Sequence, residues 1–313
     1  MGKNKEKILV VCHDAGGSEV ISAYVRKNAR KKRFFCLVSG PGIKVFKRKG
    51  LKKFLIPNNK TPKGFLRSLK PDLVLAGFSA SMGQLPFIRA AKAEKTKSAI
   101  YIDHWTDYRR GIGYPEENWR ENMPDEFWAG DADGLRIAKK LFPGRKIKFV
   151  KNLYFIERKK EYNQIRKKLK KPEKTLVFMS EPYTAVTSFS GEPFYGLNEY
   201  RVLDKLLAYL SAKKFRNKVV ICNHPSEARS KFDALISRYA GKLKISKQSD
   251  SVLKDIANAQ VVVGMMGMIL AISVICGKKT VSFIPHKGIN CMLPDKRIIR
   301  IHDVRKLGEI IKL

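Results

Sequence analysis

Near its C-terminal end the chain reads Gln260-Val261-Val262-Val263-Gly264-Met265-Met266-Gly267-Met268, then an apolar run, then Gly277-Lys278-Lys279-Thr280-Val281-Ser282-Phe283. That order is a strand, a glycine turn, a buried helix, a glycine stop and a second strand. Two strands joined through a helix pair parallel, because the connection must cross over the sheet. The glycine turn exposes helix N-terminal amides, which attract phosphate. Upstream, Val219-Val220-Ile221-Cys222-Asn223-His224-Pro225 is another buried strand, ending on a histidine. Two such strand ends in one α/β unit predict a site for a phosphorylated ligand.

The same alternation runs through the whole chain. In the first half, strands are predicted at 7–12, 33–38, 51–56, 73–76, 98–102, 127–129 and 146–150, with helices at 16–29, 61–69 and from the turn at 77–81 to about 95. The second half repeats the pattern. Strands are expected at 175–179, 218–222, 243–246, 261–263, 280–284 and 297–301, and helices at 199–212, 226–239, 251–257, 268–276 and 304–312. This spacing predicts an α/β fold of two Rossmann-like domains facing across a cleft. With 313 residues the chain exceeds a single comfortable core. The charged stretch 157–174 is taken as a helix and linker between an N-terminal domain, 1–156, and a C-terminal domain, 175–313.

Composition excludes several classes. No apolar run approaches the roughly 20 residues of a membrane span. The start leads directly into a short strand, too short for a signal peptide, so a cytoplasmic protein is expected. The five cysteines are dispersed without CxxC spacing, which fits reduced thiols rather than disulfides or zinc. The net charge of +36 is extreme. Its lysines are spread over the length and no nucleic-acid motif accompanies them, so an anionic ligand or the anionic inner face of a membrane is a better partner than nucleic acid, with compositional habit of the source organism the equal alternative.

Ligands of open parallel sheets sit at the carboxyl ends of the strands, so those residues carry the functional reading. After the first strand come His13, Asp14, Gly16, Gly17, Ser18 and Glu19. The paired glycines allow close backbone approach, Ser18 suits a helix start, and Asp14 or His13 is a candidate general base. The spacing is not GxGxxG, so a nicotinamide cofactor is disfavoured. Ser79 lies in a small polar turn after the 73–76 strand. After the 98–102 strand comes Asp103-His104-Trp105-Thr106-Asp107-Tyr108-Arg109-Arg110, a group able to stack on a sugar through Trp105 and to supply acid–base chemistry. In the second half, Ser180 and Glu181 follow one strand, His224 follows the next, and Gly264, Met265, Met266 and Gly267 form the anion turn.

The segments Asn223-His224-Pro225-Ser226-Glu227, Ser249-Asp250 and Ala259 to Gly264, with the apolar helix and Gly277 to Phe283, together resemble the C-terminal domain of GT-B-fold proteins. These include nucleotide-sugar glycosyltransferases and hydrolysing UDP-N-acetylglucosamine 2-epimerases. Asp14 to Glu19 is similar to their acceptor-contacting glycine loop, and Asp103 to Arg110 with Pro124 to Trp128 resembles GT-B-like proteins of polysaccharide loci. The resemblance implies a nucleotide-sugar donor on the second domain, with its diphosphate at residues 264–268 and His224 nearby. It implies a base on the first domain (His13, Asp14 or Asp103), a sugar or lipid-linked acceptor and no metal, the leaving charge being offset by helix dipoles and basic side chains. An inverting glycosyltransferase of cell-surface polysaccharide or glycolipid synthesis is the activity implied. A 2-epimerase-like enzyme or a non-catalytic binding protein is the alternative. One departure stands out: the glutamate that holds the donor ribose in many such proteins has no counterpart around Ala271-Ile272-Ser273.

Overall fold

The computed structural model describes residues 5–79, 81–185, 197–286 and 288–312. Ala80, inside the turn read after the 73–76 strand, lies outside them. The chain divides into two compact units, one ending at Glu157 and the other beginning at Arg158.

The first unit holds β1 (Lys7–Cys12), β2 (Arg33–Val38), β3 (Leu73–Gly77), β4 (Lys97–Ile102), β5 (Glu126–Ala129) and β6 (Lys146–Phe149). All neighbours pair parallel, in the order β2-β1-β3-β4-β5-β6. Its helices are α1 (Ala15–Asn28), α2 (Gly40–Arg48), α3 (Pro62–Leu69), α4 (Leu85–Ala93) and α5 (Ala132–Leu141). Strands such as Ile8 to Cys12 and Leu73 to Gly77 are covered on both faces, so they are apolar without alternation. The strand expected at 51–56 is reduced to a short 3-10 turn, Lys52–Phe54, and one parallel bridge from Leu55 to Cys36. Lys52 and Lys53 keep that segment at the surface, and Pro57 has no N–H with which to extend the ladder.

Helix α6 (Leu153–Lys168) begins before the charged stretch and carries the chain from one unit into the next. The second unit contains β7 (Thr175–Met179), α7 (Glu199–Ala212), β8 (Val219–Cys222), α8 (Asp233–Tyr239), β9 (Ile245–Lys247), α9 (Val252–Asn258), β10 (Ala259–Gly264), α10 (Met268–Ile275), β11 (Lys279–Phe283), β12 (Ile299–Ile301) and α11 (Arg305–Ile311). Its strand order is β12-β11-β10-β7-β8-β9, again parallel throughout. Helix α8 starts seven residues later than the sequence suggests, because residues 223–231 are folded into turns. Asn223 Nδ2 donates to the Ala228 carbonyl and the Glu227 amide to the His224 carbonyl, bonds that compete with helix formation.

Winding reverses once in each sheet, between β1 and β3 in the first and between β7 and β10 in the second. Loops leave such a pair in opposite directions and part to form a crevice at the carboxyl edge. The opposite edge of the first sheet is pinned. There the buried Glu126 carboxylate meets Lys97 Nζ at 2.9 Å, Lys146 Nζ at 2.8 Å and Trp128 Nε1 at 3.0 Å, tying β4, β5 and β6 together. Burial pushes the Glu126 carboxyl up, but Lys146, Trp128 and Lys97 outweigh it and bring it from the ordinary 4.5 down to about 2. A depressed carboxylate adds stability above its unfolded pKa and loses it as pH falls through the folded one. Glu126→Gln should therefore cost of order 1–3 kcal/mol near neutral pH. In denaturant titrations the gap to the parent chain should close between pH 4.5 and about 2.

Candidate functional site

The crevice of the first unit is built by the loops after β1, β3 and β4. Helix α1 starts directly beyond Asp14 and lies hard against the end of β3: a Cβ on Gly17 would stand 2.6 Å from the Phe78 carbonyl oxygen. Glycine at 16 has a different consequence. A Cβ there would stand 2.5 Å from Asp103 Oδ2, so the carboxylate following β4 lies over the first turn of α1. That position favours an anion through the helix dipole and the free first-turn amides. His13 Nδ1 is 2.7 Å from Asp14 Oδ1, and His104 Nδ1 is 3.2 Å from Asp103 Oδ1. Two imidazole–carboxylate pairs therefore stand at the carboxyl edge of this sheet. The His104 ring packs on Phe78 at 4.7 Å and near Tyr108 at 6.1 Å. Burial alone would lower the His104 pKa, but Asp103 and then Asp107 more than offset it and raise it.

Other residues singled out in this unit have structural partners. Trp105 donates from Nε1 to both carboxylate oxygens of Asp131, at 3.0 and 3.1 Å, and stacks on Phe155 with ring centroids 6.1 Å apart. Asp131 also caps α5 by accepting from the Gly134 amide. Glu19 is engaged by Arg48 and by Lys49 Nζ at 2.8 Å, which ties α1 to the end of α2. Ser18 is fully buried beneath the loop. The Ser79 hydroxyl pairs with Ser81 Oγ at 2.7 Å, not with an imidazole. Asp107 is exposed in a left-handed turn (φ 55°), and Arg109 lies over the Tyr114 ring at 5.9 Å. Cys12 is buried, and burial pushes its thiol up to about 12, far from a nucleophile's range.

In the second unit the loops after β7 and β10 meet through one side chain. Glu181 Oε1 accepts from the Met265 and Met266 amides at 3.0 and 2.9 Å. Its Oε2 accepts from Met266 at 3.1 Å and from the Tyr183 hydroxyl at 2.8 Å. The predicted anion turn thus forms, and its amides point at a carboxylate of the chain itself. Burial raises the Glu181 pKa against the opposing effect of Tyr183 and the turn amides.

Beside it lies a buried ionic group the sequence reading did not assemble. Lys231 Nζ sits between Glu199 and Glu227, and Thr184 donates twice to Glu199. Burial opposes every charge here, yet Lys231 is held above its ordinary pKa by Glu199 and Glu227, and Glu199 below its own by Lys231 and Thr184. Glu227 also accepts from Ser180 Oγ at 3.1 Å and from the His224 amide at 2.8 Å, so the group fixes the ends of both β7 and β8. His224 bonds Ser226 Oγ through Nδ1 at 2.7 Å; burial lowers its pKa, with Glu227 opposing and Lys231 adding to the shift. Glu227 was visible four residues before Lys231, a helical ion-pair spacing. Glu199, far away in sequence, gave no such signal. Among the described residues no cluster of three or more His, Cys, Asp or Glu side chains is arranged to hold a metal ion.

No protein-family model matches this sequence, and no curated protein matches it. Solved structures do match its fold. The UDP-GlcNAc 2-epimerase from Neisseria meningitidis, bound to UDP-GlcNAc, superposes with a TM-score of 0.65 at 13% identity, over 98% of this chain and 90% of its own. Anabaena Alr3699/HepE in complex with UDP gives 0.60 at 12%, over 98% and 89%. MurG from Acinetobacter baumannii gives 0.52 at 12%, over 91% and 80%. Likeness at these identities establishes the fold: two Rossmann-like units of the GT-B and 2-epimerase type. The fold implied by the resemblance read from the sequence is borne out.

The first crevice makes one electrostatic prediction. Asp103→Asn removes the larger of the two charges that oppose burial of His104. The His104 imidazole, followed by NMR, should titrate above 6.5 in the parent chain and at lower pH in the variant. An unchanged titration would show that Asp103 does not act on this ring.

Proposed function

We propose that the chain is a nucleotide-sugar enzyme of the GT-B type, a metal-independent inverting glycosyltransferase making cell-surface polysaccharide or glycolipid. One observation carries this reading. The first unit gathers two imidazole–carboxylate pairs, His13–Asp14 and Asp103–His104, at the crevice where its winding reverses. An inverting transfer needs a base that takes the acceptor hydroxyl proton as that oxygen attacks the anomeric carbon and the nucleoside diphosphate leaves. Asp14, His13 and Asp103 are the candidates, with Gly16, Gly17 and Arg109 on the acceptor side. The donor is assigned to the second unit, around Ser180, Glu181, His224 and the 264–267 turn. Fold neighbours solved with UDP or UDP-GlcNAc support a nucleotide-sugar ligand.

A lipid-linked acceptor would place the protein at the inner face of a membrane. A groove of about 650 Å³ supports that placement. Lys214, Arg216, Lys242 and Lys244 line it, and none of them forms an ion pair among the described residues. Each such cation near an anionic bilayer contributes about 1 kcal/mol. No helix among the described residues is long and apolar enough to cross a membrane.

The 2-epimerase-like alternative is favoured by the glutamates at the strand ends of the second unit, Glu181 and Glu227. It predicts release of UDP and free sugar from donor and water with no acceptor present.

A thermal-shift screen against UDP, GDP, CDP and CMP and their sugars tests the proposal. A ligand at about 100 times its Kd raises stability by about 2.7 kcal/mol. One nucleotide class should shift the transition, His224→Ala should weaken the shift, and Asp103→Asn or Asp14→Asn should keep binding while turnover falls at least about 100-fold. No response to any nucleotide, with salt-sensitive binding to RNA instead, would sink the reading.

A further inference from the structure

The winding reversal of the second sheet should leave an open crevice with free amides above it. One side chain closes it. Both oxygens of Glu181 are used, by two amides of the turn and by the Tyr183 hydroxyl. The side chain is buried, and a Cβ on Gly267 would stand only 2.9 Å from its carboxyl carbon, so nothing larger than glycine fits there beside it. Phosphate and carboxylate oxygens accept N–H bonds along the same directions and carry the same sign of charge. A second anion cannot share these amides.

We infer that Glu181 is a resident anion in the phosphate cradle of the second unit, and that a ligand's anionic group enters the turn at Met265–Gly267 only by displacing it. The identity of the displacing group, a donor diphosphate, rests on the proposed function; the competition itself does not. The turn keeps its shape by other means as well: Ser282 Oγ donates to the Met265 carbonyl, and Gly264 packs against the Met179 carbonyl and Leu270. Removing the carboxylate therefore vacates a preformed cradle. Apparent affinity for an anion scales with the fraction of molecules in which the cradle is vacant. If Glu181 fills it more than nine times in ten, deletion strengthens binding about tenfold or more.

Calorimetric titration of the full-length chain with pyrophosphate, at moderate salt, reads the cradle alone; titration with UDP and with uridine reads the nucleotide site. Glu181→Ala should bind pyrophosphate at one site about tenfold or more tighter than the parent chain, and Glu181→Gln, whose amide oxygen still accepts but carries no charge, should gain less in the same direction. Tyr183→Phe keeps the carboxylate but removes one of its partners, and should gain less in the same direction. Glu309→Ala, an exposed site with the same change in net charge, should gain nothing. If Glu181→Ala does not fold, Glu181→Gln and Tyr183→Phe still read the competition. Folded variants that gain no more than Glu309→Ala overturn the inference. When that result comes with tight UDP and weak uridine binding, the donor reading survives it. A pyrophosphate gain with no response to any nucleotide leaves the cradle standing and removes the donor reading.

Discussion

A parallel strand must be left by a crossover, and where successive crossovers change direction two loops part above the sheet. Both sheets of this protein have that reversal, at β1/β3 and at β7/β10, and the rest of the functional geometry hangs on it. It brings His13 and Asp14 into the neighbourhood of Asp103 and His104, although about 90 residues of chain separate them. It likewise brings Glu181 to the amides of Met265 and Met266, 84 and 85 residues away. The far edge of the first sheet, pinned by Glu126 between Lys97 and Lys146, has no such freedom.

The two crevices share an electrostatic arrangement. Each presents helix-start or turn amides, and each has a carboxylate placed over them: Asp103 above Gly16, and Glu181 on the 265–266 amides. In a chain of net charge +36, Glu181 is buried and Asp103 half-buried, and the Lys49 and Lys231 side chains are also covered, each against glutamates. In each unit, backbone amides at the carboxyl edge are therefore faced by a carboxylate of the chain itself. On the proposed reading, ligand recognition is an exchange of one anion for another, and its free energy is a difference between two similar interactions.

Most strands were legible as apolar runs ended by glycine, proline or charge, the run at 51–56 being the exception, and the two-unit α/β architecture followed from their alternation with helices. Helix α5 was missed although Asp131, three residues before Gly134, is an N-cap signal. Helix α8 was read too long because the side-chain bonds of Asn223 and Glu227 cannot be seen as helix breakers from residue type alone. The carboxyl-edge location of His13, Asp14, Asp103, Glu181 and His224 was legible from strand endings. What each side chain touches was not. Trp105 looked free to stack on a sugar but is held by Asp131 and Phe155, and Glu19 is taken up by Arg48 and Lys49. The Glu199–Lys231–Glu227 group depends on a tertiary approach of α7 to the segment before α8, which no local pattern encodes.

On the proposed function, the carboxyl edge of the second sheet, around its winding reversal, receives the nucleotide part of a donor. Amide hydrogen exchange of the intact chain, read by mass spectrometry with and without a saturating nucleotide sugar, tests it directly. Slowed exchange concentrated in peptides covering residues 180–183, 223–227 and 264–268 is expected. Unchanged exchange there, with protection confined to the lysine-rich groove at the opposite edge, would contradict it.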